Sequence, residues 1–196
     1  MTAPLDVDAA RPSLAVPLLL GTGFVLAVLL RVLVGGPGVA QSPVAGLVFG
    51  GCLLVLSLLV GARLTWSLAA VGWGLAVAAL LCLPVLIIRG DQPLHDSDGF
   101  VRWAFVVTFV AVAEELFLRG ALYDAVADRA GETAAIVVGA VAFALLHVPL
   151  YGWKVLALDV VVGLIFGELR RRTGTPAAPA VAHVGADLAA WFLRTP

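Results

Sequence analysis

Residues 100–126, FVRWAFVVTFVAVAEELFLRGALYDAV, form an apolar run long enough to cross a bilayer, and they carry Glu114, Glu115 and Arg119 near its middle. A membrane-spanning helix needs about 17–25 predominantly apolar residues. A charge at mid-bilayer costs about 2.5–3.5 kcal/mol, whereas each Val, Leu or Phe returns only about 0.3–0.6. Two Glu and one Arg therefore oppose insertion by about 8–10 kcal/mol, more than a dozen apolar residues offset. Side chains that costly indicate a buried polar site, and these residue types suit proton transfer or metal binding.

The rest of the chain reads the same way. Its 196 residues are 62% hydrophobic and 13% charged, with mean hydropathy +1.07, whereas soluble domains carry about 25% charge. Such a chain cannot clothe a water-facing surface. The fold expected is an all-α polytopic transmembrane bundle of about seven spans, at 13–34, 44–62, 66–88, 100–126, 132–148, 154–170 and 176–193. Residues 1–196 form one integral membrane domain, with three anchoring spans over 13–88 and a functional core over 100–190. Residues 1–12 lack a basic stretch and a cleavage site, so the first span is expected to remain as an anchor. The net charge of -1 gives no reason to expect nucleic acid. Cys52 and Cys82 fall in apolar spans and read as packing residues.

Loops and flanks set the topology. GGPGVAQSP at 35–43 is an uncharged turn, and RGDQPLHDSDG at 89–99 is the longest polar loop. Arg129 and Gly131 form a short turn, and Gly174 stops span six after Arg170, Arg171 and Arg172. Trp66, Trp103, Trp153 and Trp191 lie near span ends, as an aromatic belt requires, and Trp73 does not. A cytoplasmic N-terminus puts Arg11, Arg63, Arg119, Arg129 and Arg170 to Arg172 inside, and Arg89, Arg102, Lys154 and Arg194 outside. That bias favours N-in and C-out. Gly46/Gly50 and Gly163/Gly167 are small-residue pairs suited to close helix approach. No internal repeat is present, which leaves an inverted-repeat transporter without support.

Glu115 and Arg119 stand at i,i+4 in the favourable order, either as a structural ion pair or as catalytic groups. Glu114 lies about 100° around the helix, on a stripe with Val107, Ala111, Leu118 and Ala121. A carboxyl so desolvated suits a general base acting on water. His147 follows Phe143 by one turn, and Phe143 is expected to pack on the imidazole and orient it. His183 and Asp187 share a face at i,i+4. They read as two ligands of one metal, as an aspartate orienting an imidazole, or as a polar pair between helices. His95, among Asp91, Asp96 and Asp98, reads as solvated, and Glu168 to Arg172 as an interfacial helix end. Asp159 lines the same cavity or pairs with an arginine or the backbone, and Arg31 in span one snorkels or pairs with an acid.

The set Glu114-Glu115-x-x-x-Arg119, Phe143-x-x-x-His147 and His183-x-x-x-Asp187 resembles the CPBP intramembrane proteases. These comprise the CAAX-prenyl proteases of the Rce1 type and the bacteriocin-processing and immunity proteins called Abi. GLIFGELRRRTG at 163–174 is similar to the family's run before its last motif, and the resemblance covers about residues 100–190. It implies a membrane endopeptidase, of glutamate or metallo type. Glu114 and His147 would activate a water, His183 and residue 187 would face the oxyanion, and Glu115 and Arg119 would brace the site. The family commonly has asparagine where Asp187 stands. An amide donates to an oxyanion and a carboxylate repels it, so Asp187 is better suited to orienting His183 or holding a metal. In the metal version Zn²⁺ is bound by His147, His183 and Glu114 or Asp187.

Spans four, five and seven would then enclose a wet pocket opening to the cytoplasm. The expected partners are membrane lipid and a peptide or protein substrate at the membrane. The location expected is the plasma membrane of a bacterium, as the Ala-, Val-, Gly- and Arg-rich, Lys-poor composition suggests. The competing readings are a non-catalytic immunity or scaffold protein and a proton or ion carrier.

Overall fold

A computed structural model describes residues 14–89 and 98–193, and among these residues there are helices and no strands. The helices are α1 (Ala15–Gly35), α2 (Pro43–Leu59), α3 (Leu68–Arg89), α4 (Phe100–Glu115), α5 (Leu122–Tyr151), α6 (Leu156–Thr173) and α7 (Ala177–Leu193). A π-helical segment, Leu116–Ala121, joins α4 to α5 without a break. Local chemistry sets the ends. Ser42 Oγ accepts the Ala45 N–H at 3.2 Å, with Pro43 at the first helical position, and this starts α2. Gly174, at φ 70°, closes α6 with its N–H on the Arg170 carbonyl at 2.9 Å. Gly131, at φ 83° and ψ 164°, kinks α5 where the sequence predicts a turn.

Three runs are long and apolar enough to cross a membrane: Ala15–Gly38, Leu68–Ile88 and the 52-residue Phe100–Tyr151. Pro43–Leu59 and Ala177–Leu193 are shorter apolar helices. Leu18, Leu26, Leu33, Leu68, Ile87 and Ile88 stand exposed along α1 and α3, faces that hydrocarbon chains would cover. This is a membrane protein.

Helix α3 packs on α7, α5 on α6, α1 on α2, and α4 on both α2 and α7. The glycine pairs permit two of these contacts. A Cβ at Gly163 would lie 2.7 Å from Ala140 Cα, one at Gly167 2.8 Å from Ile136 Cγ2, and one at Gly50 2.8 Å from Phe109 Cε1. Backbones this close fit only where no side chain intervenes.

Two of the belt tryptophans have another role. Trp103 and Trp191 pack with their rings tilted by 41° and 4.8 Å between centroids, with Phe100 and Phe192 beside them, and Trp191 is buried. Trp66 and Trp153 remain exposed at helix ends. Residues 1–12 with Arg11, the loop residues Asp91, His95 and Asp96, and Arg194 lie outside the described residues.

Candidate active site

Glu115 and Arg119 sit where α4 widens into the π segment, at 0% and 1% exposure. Glu115 Oε1 accepts from Arg119 Nη1 at 2.9 Å and from His183 Nδ1 at 3.0 Å. Arg119 Nη2 reaches the Gly163 carbonyl at 3.1 Å, a group accessible on the helix face that carries no side chain there. The guanidinium lies 4.9 Å from the Phe143 ring centre and 5.3 Å from that of Phe166. The Arg119 carbonyl in turn accepts Arg170 Nε at 2.8 Å, while Arg170 Nη2 holds Asp124 Oδ1 at 2.9 Å. One charged knot thus ties α4, α6 and α7 together. Removing one member would strand its partner, at about 3–5 kcal/mol.

Glu114 faces the other way, into a cavity of about 940 Å³. Its side chain is buried among Val110, Ala111 and Val107. Its nearest cation is Arg31 of α1, with Nη1 3.6 Å from Oε1, an ion pair too long for a hydrogen bond. The Nε and Nη1 atoms of Arg31 are buried without a hydrogen-bond partner. The Phe49 ring lies 4.8 Å from its guanidinium carbon.

His147, His183 and Asp187 line the same cavity. His147 Nδ1 stands 2.9 Å from the Phe143 carbonyl. A carbonyl only accepts, so this contact puts the proton on Nδ1 and leaves the Nε2 lone pair free. Phe143 meets the imidazole edge-on at 4.7 Å, as the one-turn spacing predicts, and Tyr151 stacks on it at 5.8 Å. Asp159 Oδ2, buried without a hydrogen bond, lies 3.6 Å from His147 Nδ1. His183 Nε2 points to Asp187 Oδ2 at 3.6 Å.

The sequence-predicted residues therefore divide into two groups. Glu114, His147, His183 and Asp187 share the cavity, and Glu115 and Arg119 form the wall behind His183. Arg31 and Asp159 join the site from α1 and α6. Sequence offered only one signal for each, a charge inside an apolar helix. The π segment had none.

The four residues of the implied zinc set line one cavity. His183 has a carboxylate beside each ring nitrogen, whereas His147, with Nδ1 on a carbonyl, keeps Nε2 open as a metal-ligating imidazole would. Among the described residues no group of three or more His, Cys, Asp or Glu side chains is arranged to hold a metal ion. Open catalytic zinc requires three such ligands.

The cavity is also wider and differently aimed than expected. All seven helices contribute, not spans four, five and seven alone. It runs from Glu114 to Ser42 before α2, Val85 late in α3, Arg102 early in α4, Tyr151 at the end of α5 and Leu193 at the end of α7. That end lies across α1 from the N-terminus. The sequence expectation put the N-terminus and the cavity's mouth on one side, whereas these lining residues lie toward the other end of α1.

Residues 96–189, just under half of the chain, match the model of the family described as Type II CAAX prenyl endopeptidase Rce1-like. The match takes in Glu114, Glu115, Arg119, His147, His183 and Asp187 and excludes Arg31. The resemblance to the CAAX-type membrane proteases therefore holds over this stretch. No curated protein matches the chain, and no solved structure does.

Proposed function

We propose that this chain is an intramembrane endopeptidase of glutamate type, hydrolysing a peptide bond with water held between Glu114 and His147. One observation carries the reading: a buried carboxylate and an imidazole with a free Nε2 face a single cavity within a membrane-spanning helix run. Glu114 takes a proton from water as the oxygen attacks the scissile carbonyl carbon. His147 Nε2 accepts the water's second hydrogen as a hydrogen bond and fixes its line of attack. His183, held from behind by Glu115 at Nδ1, donates Nε2–H to the developing oxyanion in place of its 3.6 Å contact with Asp187. When the C–N bond breaks, Glu114 returns its proton to the leaving amine. No step passes through a metal.

The same reading takes the seven helical stretches as seven crossings of one membrane domain, in a bacterial plasma membrane. Arg119 is buried in the knot and drops out of the charge tally. Arg63, Arg129 and Arg170 to Arg172 remain on the N-terminal face, against Arg89, Arg102 and Lys154 on the mouth face. The positive-inside rule then favours a cytoplasmic N-terminus and a cavity that opens outward.

The test is cleavage of quenched membrane-segment and C-terminal peptides by purified, detergent-solubilised protein, beside Glu114→Gln and with or without a chelator. Cleavage lost in the variant and indifferent to the chelator is the expected result. Cleavage that survives Glu114→Gln would sink the site assignment. Chelator-sensitive cleavage would return the chemistry to zinc. Thiol labelling of single cysteines at Ser42 and Arg63 in intact cells reads which face is outside.

A further inference from the structure

We propose that Arg31 forms a carboxylate-binding subsite, so that the cavity selects substrates bearing a carboxylate within a few residues of the bond to be cut. The proposal deepens the peptidase reading and rests on it for the word substrate. A guanidinium offers five donors in a planar fork matched to a carboxylate. Glu114 does not use that fork, because its oxygen stops 3.6 Å from Nη1. Arg31 is only 8% exposed, yet Nε and Nη1 have no hydrogen-bond partner, and the residue lines the cavity beside Glu114. Buried donors are normally satisfied, and a second anion entering this cavity would satisfy them. Phe49 lies over the guanidinium at 4.8 Å and fixes its plane before anything binds. Arg102, exposed at the outer end of the cavity, adds a cation along the approach.

Two further points separate this role from bracing. The knot that does brace the site makes its hydrogen bonds without Arg31. Arg31 also lies outside residues 96–189, so the N-terminal helices supply it to a core that already holds the reacting groups. The carboxylate has two possible sources in a peptide, the chain terminus or an Asp or Glu side chain.

The experiment measures binding, not turnover. Full-length protein carrying Glu114→Gln is titrated with fluorescein-labelled apolar hexapeptides in matched pairs, followed by anisotropy. One pair ends in a free carboxylate or a carboxamide, and the other carries an internal Glu or Gln with an amidated end. The acid member of one pair should bind about tenfold or more tighter, and the pair showing it names the source. Adding Arg31→Gln should bring that ratio to about one, with Arg31→Lys between, in variants whose melting temperatures match. Ratios near one in Glu114→Gln, no binding of any peptide, or a preference that survives Arg31→Gln each overturn the proposal. Wild-type cleavage, run separately, reports on the peptidase reading. A carboxylate preference without cleavage would leave the subsite standing and that reading failed.

Discussion

Glu114 and Glu115 are neighbours on one helix, and their surroundings differ in nearly every respect. On the Glu115 side, a carboxylate, a guanidinium, an imidazole and a backbone carbonyl close on one another at 2.9–3.1 Å between two phenyl rings. On the Glu114 side, the Arg31 guanidinium stands off at 3.6 Å and the space beyond is a cavity of about 940 Å³. A network of short hydrogen bonds holds shape even with Glu115 Oε2 unpaired, whereas the long contact at Glu114 leaves hydrogen-bonding capacity beside a cavity for something that enters. The contrast teaches how two adjacent, equally expensive charges take different work. One is anchored so that the other need not be.

The contrast breaks or sharpens under substitution. Glu114→Gln should lower kcat by about 10²–10⁴-fold while the melting temperature stays near wild type, measured by peptide cleavage and thermal unfolding in detergent. A comparable collapse in stability would erase the division between the two sides. Arg119→Ala should do the reverse and cost about 3–5 kcal/mol of stability, because Glu115 is left buried without its partner; denaturant titration in mixed micelles reads it. Gly163→Val should cost about 1–3 kcal/mol by pushing α6 off α5, and the same titration applies. Asp159→Asn keeps the volume beside His147 and removes the charge. Its expected effect is a fall in kcat of about tenfold with unchanged KM. The smallest effect is expected from a chelator, which should leave the rate where it was.

Much of this was legible in order along the chain, and little of it across the chain. The predicted span at 13–34 lies against α1 at Ala15–Gly35, and that at 44–62 against α2 at Pro43–Leu59, because length and apolarity are local properties. The three motifs were equally readable, since i,i+4 spacing on a helix fixes which side chains share a face. What Arg31 and Asp159 meet depends on how helices cross, and no spacing encodes that. Trp103 and Trp191 looked like interface anchors because each sits near a span end. Their contact needs α4 and α7 side by side.

Phe143 touches four groups at once: the imidazoles of His147 and His183 at 4.7 and 5.5 Å, the Phe166 ring at 6.1 Å and the Arg119 guanidinium at 4.9 Å. One phenyl ring therefore reports on both sides of the glutamate pair. A fluorine placed on it would serve as a built-in gauge. Its resonance would shift with ring currents and field when a peptide enters from one side, and broaden if the knot loosens on the other. The molecule would then announce occupancy and integrity as two distinguishable changes in a single spectral line.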